Sequence, residues 1–204
     1  MGAASDRAGV AEATRRGRPG YDRRSLLDAA VTVFNDAGYD ATSVAALAAR
    51  LGLSKAAIYH HFSSKEQILE TAVGEALDGL EGVLVSAQTA PPAERLATVL
   101  RGAVAVLVAQ LPAVTLLLRV RGNSEVERRA LDRRRAFDQA VTALVREGQE
   151  QGSVRADVDA SVATRLLFGM VNSVVEWYRP GGAEDAEALA RDVLTVALDG
   201  LRLR

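Results

Sequence analysis

The stretch from Thr42 to Lys65, which reads TSVAALAARLGLSKAAIYHHFSSK, constrains the fold of this chain more than any other segment. Apolar residues at positions 44, 47, 48 and 51 recur three and four apart, which predicts one face of a short helix. Gly52 follows directly, where helices commonly end in a left-handed residue. Thr42 and Ser54 are the predicted N-caps of this helix and of a second, shorter one. Two short helices joined by a glycine-containing turn predict a helix-turn-helix motif.

The second helix of the motif carries residue types expected of a helix that enters the major groove of DNA. Ala56 and Ala57 are small enough to let the backbone approach the bases, and Lys55 can reach a phosphate or a guanine edge. Tyr59 and the two histidines after it can donate hydrogen bonds to phosphates. The predicted DNA-contacting residues of this segment are Thr42, Ser43, Ser54, Lys55, Ala56, Ala57, Tyr59, His60, His61 and Lys65.

Two Ser-x-x-Glu sequences predict the starts of later helices. Ser63 and Glu66 form one such capping box, and Ser124 and Glu127 form the other. Lys65 would then lie in a first helical turn, where the helix dipole disfavours a positive charge. A DNA phosphate near Lys65 would relieve this unfavourable interaction, which supports its place among the DNA-contacting residues.

The segment resembles the TetR/AcrR family of bacterial transcriptional regulators over residues 24 to 70. The matching residues are Phe34, Gly38, Tyr39, Thr42, Ser43, Val44, Leu47, Ala48, Gly52, Leu53, Ser54, Ile58, Tyr59, His61, Phe62, Lys65, Glu66 and Leu69. The resemblance implies a three-helix DNA-binding domain, a C-terminal helical domain that binds an effector, and a homodimer on a palindromic double-stranded DNA operator. The alternative is a helical hairpin of an unrelated bundle, in which the aromatic residues only form core.

The net charge of −1 hides a local excess of positive charge around the motif. Residues 15 to 65 contain eight basic and four acidic residues, which fits a phosphate-contacting surface. The sequence RRGRP at residues 15–19 is either a minor-groove arm, with Arg18 as a contact, or a plain solubilising tail. The absence of cysteine excludes disulfides and thiolate metal sites, and the N-terminus lacks the apolar segment of a signal peptide, so a cytoplasmic location is expected.

Helical periodicity and stop signals divide the chain into about nine helices without strands, an all-α fold. We expect helices at residues 23–37, 43–51, 55–62, 63–87, 92–110, 112–120, 125–151, 160–178 and 183–201. Residues 1–22 are interpreted as a flexible basic arm, 23–69 as the DNA-binding domain with its motif at about 43–62, and 70–204 as the effector-binding and dimerisation domain. The uncharged stretch 102–118 is too short for a membrane span and is interrupted by Pro112, so two buried helical segments and no membrane partner are expected.

The last two predicted helices carry more apolar surface than one small domain can cover. The helix that begins near residue 160 is apolar nearly all round, and the final helix has a broad apolar face. We therefore expect a two-fold homodimer built on an intermolecular four-helix bundle.

The resemblance implies an effector pocket in the C-terminal domain, and the Ala, Val and Leu residues that dominate its helices suit a small apolar ligand. The candidate ligand-binding residues are Phe137, Phe168, Asn172, Trp177 and Arg134, with Tyr178 as a further aromatic candidate. Residues 169–182 resemble the C-terminal region of TetR-type repressors of fatty-acid, steroid or phenylacetate breakdown, several of which sense acyl-CoA; an ordinary amphipathic helix end is the alternative. The five arginines between residues 128 and 135 form either a solvated face, with partners such as Glu125 for Arg129, or a site for a CoA phosphate.

Catalysis is not expected from these residues. The only two histidines, His60 and His61, are adjacent and should point away from each other, and no cluster has the spacing of metal ligands, so neither a metal nor a cofactor is predicted. The sequence predicts a repressor that binds its operator as a dimer and is released by an apolar effector, with acyl-CoA as the candidate. The alternatives are a constitutive or architectural DNA-binding dimer without an effector, and a ligand-binding protein whose DNA binding is vestigial.

Overall fold

The computed structural model describes residues 21–182 and 185–201, and these ranges form nine α-helices and no strand. The helices are α1 (Arg23–Ala37), α2 (Val44–Leu51), α3 (Lys55–His61), α4 (Lys65–Ala87), α5 (Pro92–Ala109), α6 (Leu111–Arg119), α7 (Glu125–Glu150), α8 (Ala160–Trp177) and α9 (Ala186–Leu201). The all-α prediction is confirmed, and each predicted helix is present with its ends shifted by three residues at most. Nearly all of the predicted basic arm lies outside the described residues.

The first three helices and the start of α4 enclose a small apolar core. Asp22 caps α1 by accepting a hydrogen bond from the backbone N–H of Ser25 at 2.7 Å. Phe34 and Phe62 are both buried in this core beside Leu47. Both phenylalanines are therefore core residues, and burial of such large apolar side chains holds the short helices of the motif together.

The predicted N-cap of α2 is wrong by one residue. The hydroxyl of Ser43 accepts a hydrogen bond from the backbone N–H of Ala46 at 3.1 Å, so Ser43 is the cap. Thr42 is only 3% exposed, and its hydroxyl donates to the carbonyl of Gly38 at 2.7 Å. Thr42 thus closes the turn after α1. Its hydroxyl is bonded to the carbonyl of Gly38 and does not cap α2.

The predicted start of α4 is also wrong by one residue. Ser64 is the N-cap, because its hydroxyl accepts from the backbone N–H of Gln67 at 3.1 Å. The side-chain oxygen of Gln67 accepts in turn from the backbone N–H of Ser63 at 2.6 Å. Gln67, rather than Glu66, therefore bonds back to the chain before the helix, although to the residue that precedes the cap.

α4 belongs to both halves of the molecule. It packs against α1 in the DNA-binding region and against α5, α6 and α7 in the C-terminal region. Its 23 residues correspond to a length of about 35 Å. One continuous helix therefore connects the helix-turn-helix motif to the C-terminal core.

α5 and α6 are separated by a bend of 102° next to Gln110. Within the described ranges, no single helix has the length and apolar character of a membrane span, and only these two bent helices pass that test together. Leu100, Val104 and Leu117 of the two helices are buried in the core. The prediction of two buried helical segments is confirmed.

Ser124 caps α7 as predicted, but Glu127 bonds to the loop before the cap and not to the Ser124 N–H of a capping box. Ser124 caps the helix by accepting from the backbone N–H of Glu127 at 3.3 Å. The carboxylate of Glu127, which is 2% exposed, accepts from the backbone N–H groups of Arg121, Gly122 and Asn123. Three charge-assisted bonds to one buried carboxylate fix the loop between α6 and α7.

α8 and α9 leave large apolar side chains in solvent. Leu166 is 67% exposed and Val196 is 66% exposed, and Val162 and Trp177 are also exposed. The opposite side of α8 is buried through residues such as Leu167. A single chain thus buries only one side of α8, whereas its sequence predicts burial on two.

Candidate DNA-binding surface and effector cavity

α3 is the candidate recognition helix, and it presents a polar face to solvent. Ser54 caps it by accepting a hydrogen bond from the backbone N–H of Ala57 at 3.1 Å. Ile58 anchors the helix in the core, while Lys55 and Tyr59 lie on the exposed side. This arrangement brings Lys55 and Tyr59 to one exposed surface.

The turn between α2 and α3 sets the angle of the recognition helix. Gly52 has a φ of +66°, a left-handed conformation that glycine adopts without steric cost, and its N–H reaches the carbonyl of Ala48. Ala56 is exposed and Ala57 is half-buried, so the first turn of α3 offers little side-chain bulk to an approaching duplex.

His60 and His61 do not point away from each other, so that prediction is wrong. Their ring centroids lie 5.0 Å apart in an edge-to-face arrangement. Consecutive helical residues diverge by only about 100°, which lets two rings of this size meet. Both imidazoles lie in the last turn of α3.

Lys65 already has partners inside the protein. Its Nζ donates to the backbone carbonyl of Tyr39 at 3.0 Å and lies 4.1 Å from the centre of the Tyr39 ring. The ring packs edge-on against Phe34, with centroids 5.1 Å apart. These contacts compensate the lysine charge near the start of α4, so its position does not by itself require a phosphate.

The remaining predicted DNA contacts differ in their accessibility. Ser43 is exposed at the start of α2, and its hydroxyl hydrogen remains available to a phosphate. Thr42 is buried, so its hydroxyl does not face the exposed surface. Arg18 lies outside the described residues.

The C-terminal helices enclose a small cavity of about 50 Å³, mostly apolar in its lining. Its lining residues are Leu80, Ala103, Leu107, Val114, Leu117, Leu118, Arg134, Phe137, Asp138, Phe168, Val171 and Asn172. Phe137 and Phe168 meet edge-to-face with their ring centroids 5.3 Å apart. Four of the five predicted ligand-binding residues, Phe137, Phe168, Asn172 and Arg134, therefore lie together.

The fifth predicted ligand-binding residue, Trp177, is elsewhere. Its side chain is 49% exposed on the outer side of α8 and does not line the cavity. The next residue, Tyr178, is 4% exposed but also lies outside the cavity lining. The structure therefore does not bring Trp177 together with the other four residues, because α8 turns this position towards its uncovered face.

Most of the arginine run on α7 is engaged with carboxylates. Arg133 bonds to both Asp78 and Glu81 of α4, at 2.6 and 2.7 Å. The other ion pairs are Arg129 with Glu70 and Glu125, Arg128 with Glu125, and Arg135 with Asp132. The predicted Glu125–Arg129 pair is present, but the ion pairs between α4 and α7 could not be foreseen from local spacing.

Two features around the cavity were not predictable from the sequence pattern. The first is Asp138, which lies one turn after Arg134 on α7 and lines the cavity. The second is the link from α6 to α1: Arg119 donates to the backbone carbonyl of Asn35 at 2.6 Å, and the Asn35 amide donates to the carbonyl of Pro112 at 2.8 Å. α6 thus lines the cavity on one side and holds the DNA-binding domain on the other.

Two family profiles match this chain. The profile described as "Bacterial regulatory proteins, tetR family" matches residues 26–72, and "Tetracyclin repressor-like, C-terminal domain" matches residues 89–201. The second match alone spans more than half of the chain.

Individual relatives agree with these matches. The HTH-type transcriptional repressor KstR2 of Rhodococcus jostii is 30% identical over 88% of this chain and 90% of its own. A solved TetR-family regulator from Streptomyces coelicolor is 50% identical, with a TM-score of 0.81 over 87% of this chain and 91% of its own. The structure of AibR in complex with isovaleryl coenzyme A and operator DNA is 26% identical, with a TM-score of 0.72. The match covers 86% of this chain and 97% of the AibR chain. The chain belongs to the TetR family of DNA-binding transcriptional regulators.

Proposed function

We propose that the protein is a dimeric transcriptional repressor that an acyl thioester releases from its operator. Its similarity to a named repressor, and to a regulator bound to isovaleryl coenzyme A and operator DNA, supports the two parts of this proposal. The cavity also supports an acyl ligand, because aliphatic and aromatic side chains form most of its lining.

The observation that carries this proposal is the position of α6. Leu117 and Leu118 of α6 line the cavity. The same helix is joined to α1 through the hydrogen bonds of Asn35 and Arg119. A ligand that widens the cavity by displacing α6 therefore acts directly on the DNA-binding domain.

The proposed mechanism has two states. In the DNA-binding state, the two α3 helices of the dimer are separated by about 34–36 Å, which matches successive major grooves on one face of DNA. The ligand favours a state with a different separation. It weakens DNA binding only through its differential affinity for the two states, with a coupling free energy of about 1–3 kcal/mol.

The parts of an acyl thioester have different places in this proposal. The acyl chain occupies the cavity against Phe137 and Phe168, and the polar groups of Arg134 and Asn172 lie near the thioester. The other four arginines between residues 128 and 135 are paired with carboxylates and therefore have no free charge for a CoA phosphate.

The uncovered face of α8 and α9 is the proposed dimer interface. Leu166 and Trp177 project large apolar surfaces from α8, and Gly169 between them leaves room for a second helix. Close approach of two copies of α8 and α9 would form the expected four-helix bundle and remove these side chains from water.

One observation favours the alternative of a DNA-binding dimer without an effector. The cavity of about 50 Å³ is far smaller than the roughly 300–1,000 Å³ typical of small-molecule sites. An acyl ligand therefore has to open the cavity before it binds, whereas a constitutive DNA binder has no need of such a change.

Thermal unfolding of the purified protein separates these two functions. The ligands are free fatty acids, CoA, and short, long and aromatic acyl-CoAs, each over a range of concentrations. We expect one acyl-CoA class to raise the melting temperature while CoA alone does not, since a ligand of the native state must stabilise it. No rise with any acyl-CoA would favour the constitutive DNA binder.

We also propose a cytoplasmic location and the absence of catalytic activity. The regulators to which this chain is similar support both proposals, because their named roles concern transcription.

A further inference from the structure

The polar end of the cavity combines groups of opposite charge. Arg134 and Asp138 follow each other by one turn of α7, and Asn172 reaches the same space from α8. Asp138 lines the cavity at its rim and is an exposed residue. Burial raises the pKa of the Asp138 carboxyl, and the positive charge of Arg134 opposes that rise.

Arg134 differs in its ionic partners from the other four arginines between residues 128 and 135. Among the residues that the structure describes, it is the one member of the run without a carboxylate at ion-pair distance. Its guanidinium donates a long hydrogen bond of 3.4 Å to the backbone carbonyl of Leu117. The nearby charge of Asp138 therefore balances Arg134 through space, without a direct ion pair.

We infer that Asp138 is a specificity-determining residue, which makes this cavity accept an acyl group in a neutral form and exclude the free carboxylate. The neutral forms are thioesters, esters and amides. This inference rests on the proposed function of the cavity as an effector site. It assigns to Asp138 the distinction between a fatty acid and its thioester.

The reason is the balance of charge at the polar end. With Asp138 ionised, Arg134 and Asp138 together carry no net charge, so a ligand carboxylate gains little net attraction and meets a like charge at the rim. Moving an ionised carboxylate out of water without a dedicated partner is unfavourable. A neutral carbonyl avoids that cost and can still accept a hydrogen bond from Arg134 or Asn172.

Isothermal titration calorimetry with two ligands of the same chain length tests the inference. The ligands are decanoate and the neutral thioester S-decanoyl-N-acetylcysteamine, and the proteins are the wild type and Asp138→Asn. We expect the wild type to bind the thioester at least about tenfold more tightly than decanoate, a difference of about 1.4 kcal/mol. In Asp138→Asn, Arg134 loses its balancing charge, so decanoate affinity should rise about tenfold while thioester affinity changes little.

Asp132→Asn is the matched control, because Asp132 is an exposed carboxylate of the same helix that pairs with Arg135. This variant should keep the wild-type preference. In Asp138→Asn, a further change of Arg134→Gln should abolish the gained decanoate affinity. Circular dichroism and operator binding verify that each variant is folded.

The outcomes separate this inference from the proposed function. If the thioester binds but the wild type takes decanoate equally well, or Asp138→Asn leaves the preference unchanged, the role of Asp138 is wrong and the acyl site stands. If neither the thioester nor decanoyl-CoA binds to the wild type, the proposed effector is wrong, and the inference is wrong with it.

Discussion

The guanidinium of Arg119, the last residue of α6, donates a hydrogen bond to the backbone carbonyl of Asn35 near the end of α1, across 2.6 Å. The side-chain amide of Asn35 donates to Pro112 at the other end of α6. One residue of the DNA-binding domain is thus bonded to both ends of a helix that lines the proposed effector cavity. This arrangement gives the ligand a short physical route to the DNA-binding surface.

Replacement of Arg119 by Gln should reduce the coupling between ligand and DNA. The shorter side chain cannot reach the Asn35 carbonyl, so a displacement of α6 would act less strongly on α1. We expect the coupling free energy to fall by about 0.5–2 kcal/mol, with little change in ligand affinity. Fluorescence anisotropy of labelled operator with and without ligand measures this quantity. Arg121→Gln, an exposed arginine of the adjacent loop, is the control, and an equal loss in both variants would contradict the specific role of Arg119.

Replacing Lys65 by Met and replacing Lys55 by Met should have different effects on stability and on DNA binding. Lys65→Met removes a hydrogen bond and a cation–π contact to Tyr39, so we expect the free energy of unfolding to fall by about 1–2 kcal/mol. Lys55→Met should leave stability unchanged. If Lys55 contacts a phosphate, its loss should lower the slope of log affinity against log salt by about 0.9 for each protomer on the DNA.

Salt titrations of DNA affinity and urea unfolding distinguish these two roles. Lys65→Met should lower DNA affinity but leave the slope of log affinity against log salt at its wild-type value. The slope stays because the Lys65 ammonium is held against Tyr39 and does not contact a phosphate. A reduction of the slope by about one in Lys65→Met would instead identify Lys65 as a direct phosphate contact.

Gly169→Leu should disrupt the dimer without harming the fold of one chain. A Cβ added at Gly169 meets no atom of the described residues within 4 Å, and Leu favours a helix over Gly by roughly 0.5–1 kcal/mol. The added side chain would instead occupy the space into which a second α8 must pack. Sedimentation velocity should show a shift to monomer, and affinity for a two-half-site operator should fall.

Gly82→Leu is a matched control for that change. Gly82 is an exposed helical glycine of α4 with the same open surroundings among the described residues, and it lies away from the α8–α9 face. A stable dimer in Gly169→Leu, or an equal loss of dimer in Gly82→Leu, would place the interface elsewhere.

The corrected cap of α4 can be tested with two neighbouring serines. Ser64→Ala should lower the free energy of unfolding by about 1 kcal/mol, because it removes the oxygen that accepts from the Gln67 N–H. Ser63→Ala should cost less, since the backbone N–H of Ser63 still donates to Gln67. Urea unfolding measures both changes, and the opposite order would restore Ser63 as the cap.

Helix ends were predictable from the sequence where a single local signal sets them. α1 has the predicted bounds, because Gly38 ends a clear apolar repeat with a positive φ. The predicted caps of α2 and α4 each lie one residue before the observed cap, because two adjacent residues in each case carry a hydroxyl. Only the backbone geometry and burial of Thr42 reveal which hydroxyl is free to cap.

The cavity was predictable in part. Phe137 and Phe168 were identifiable as aromatic residues on apolar helical faces. Trp177 lies apart from them, because a residue near the end of α8 faces either the exposed side or the cavity depending on a rotation that sequence does not specify. The ion pairs of Arg129 and Arg133 join residues of different helices, so spacing within one helix could not show them.

The most direct test of the account is the effect of an effector on DNA affinity. A duplex is first selected from a random library with the purified dimer, and its affinity is then measured at fixed salt with and without an acyl-CoA that raises the melting temperature. The account predicts that this ligand weakens DNA binding at least about fivefold, equivalent to a coupling of about 1 kcal/mol. An acyl-CoA that stabilises the protein but leaves its DNA affinity unchanged would contradict the account.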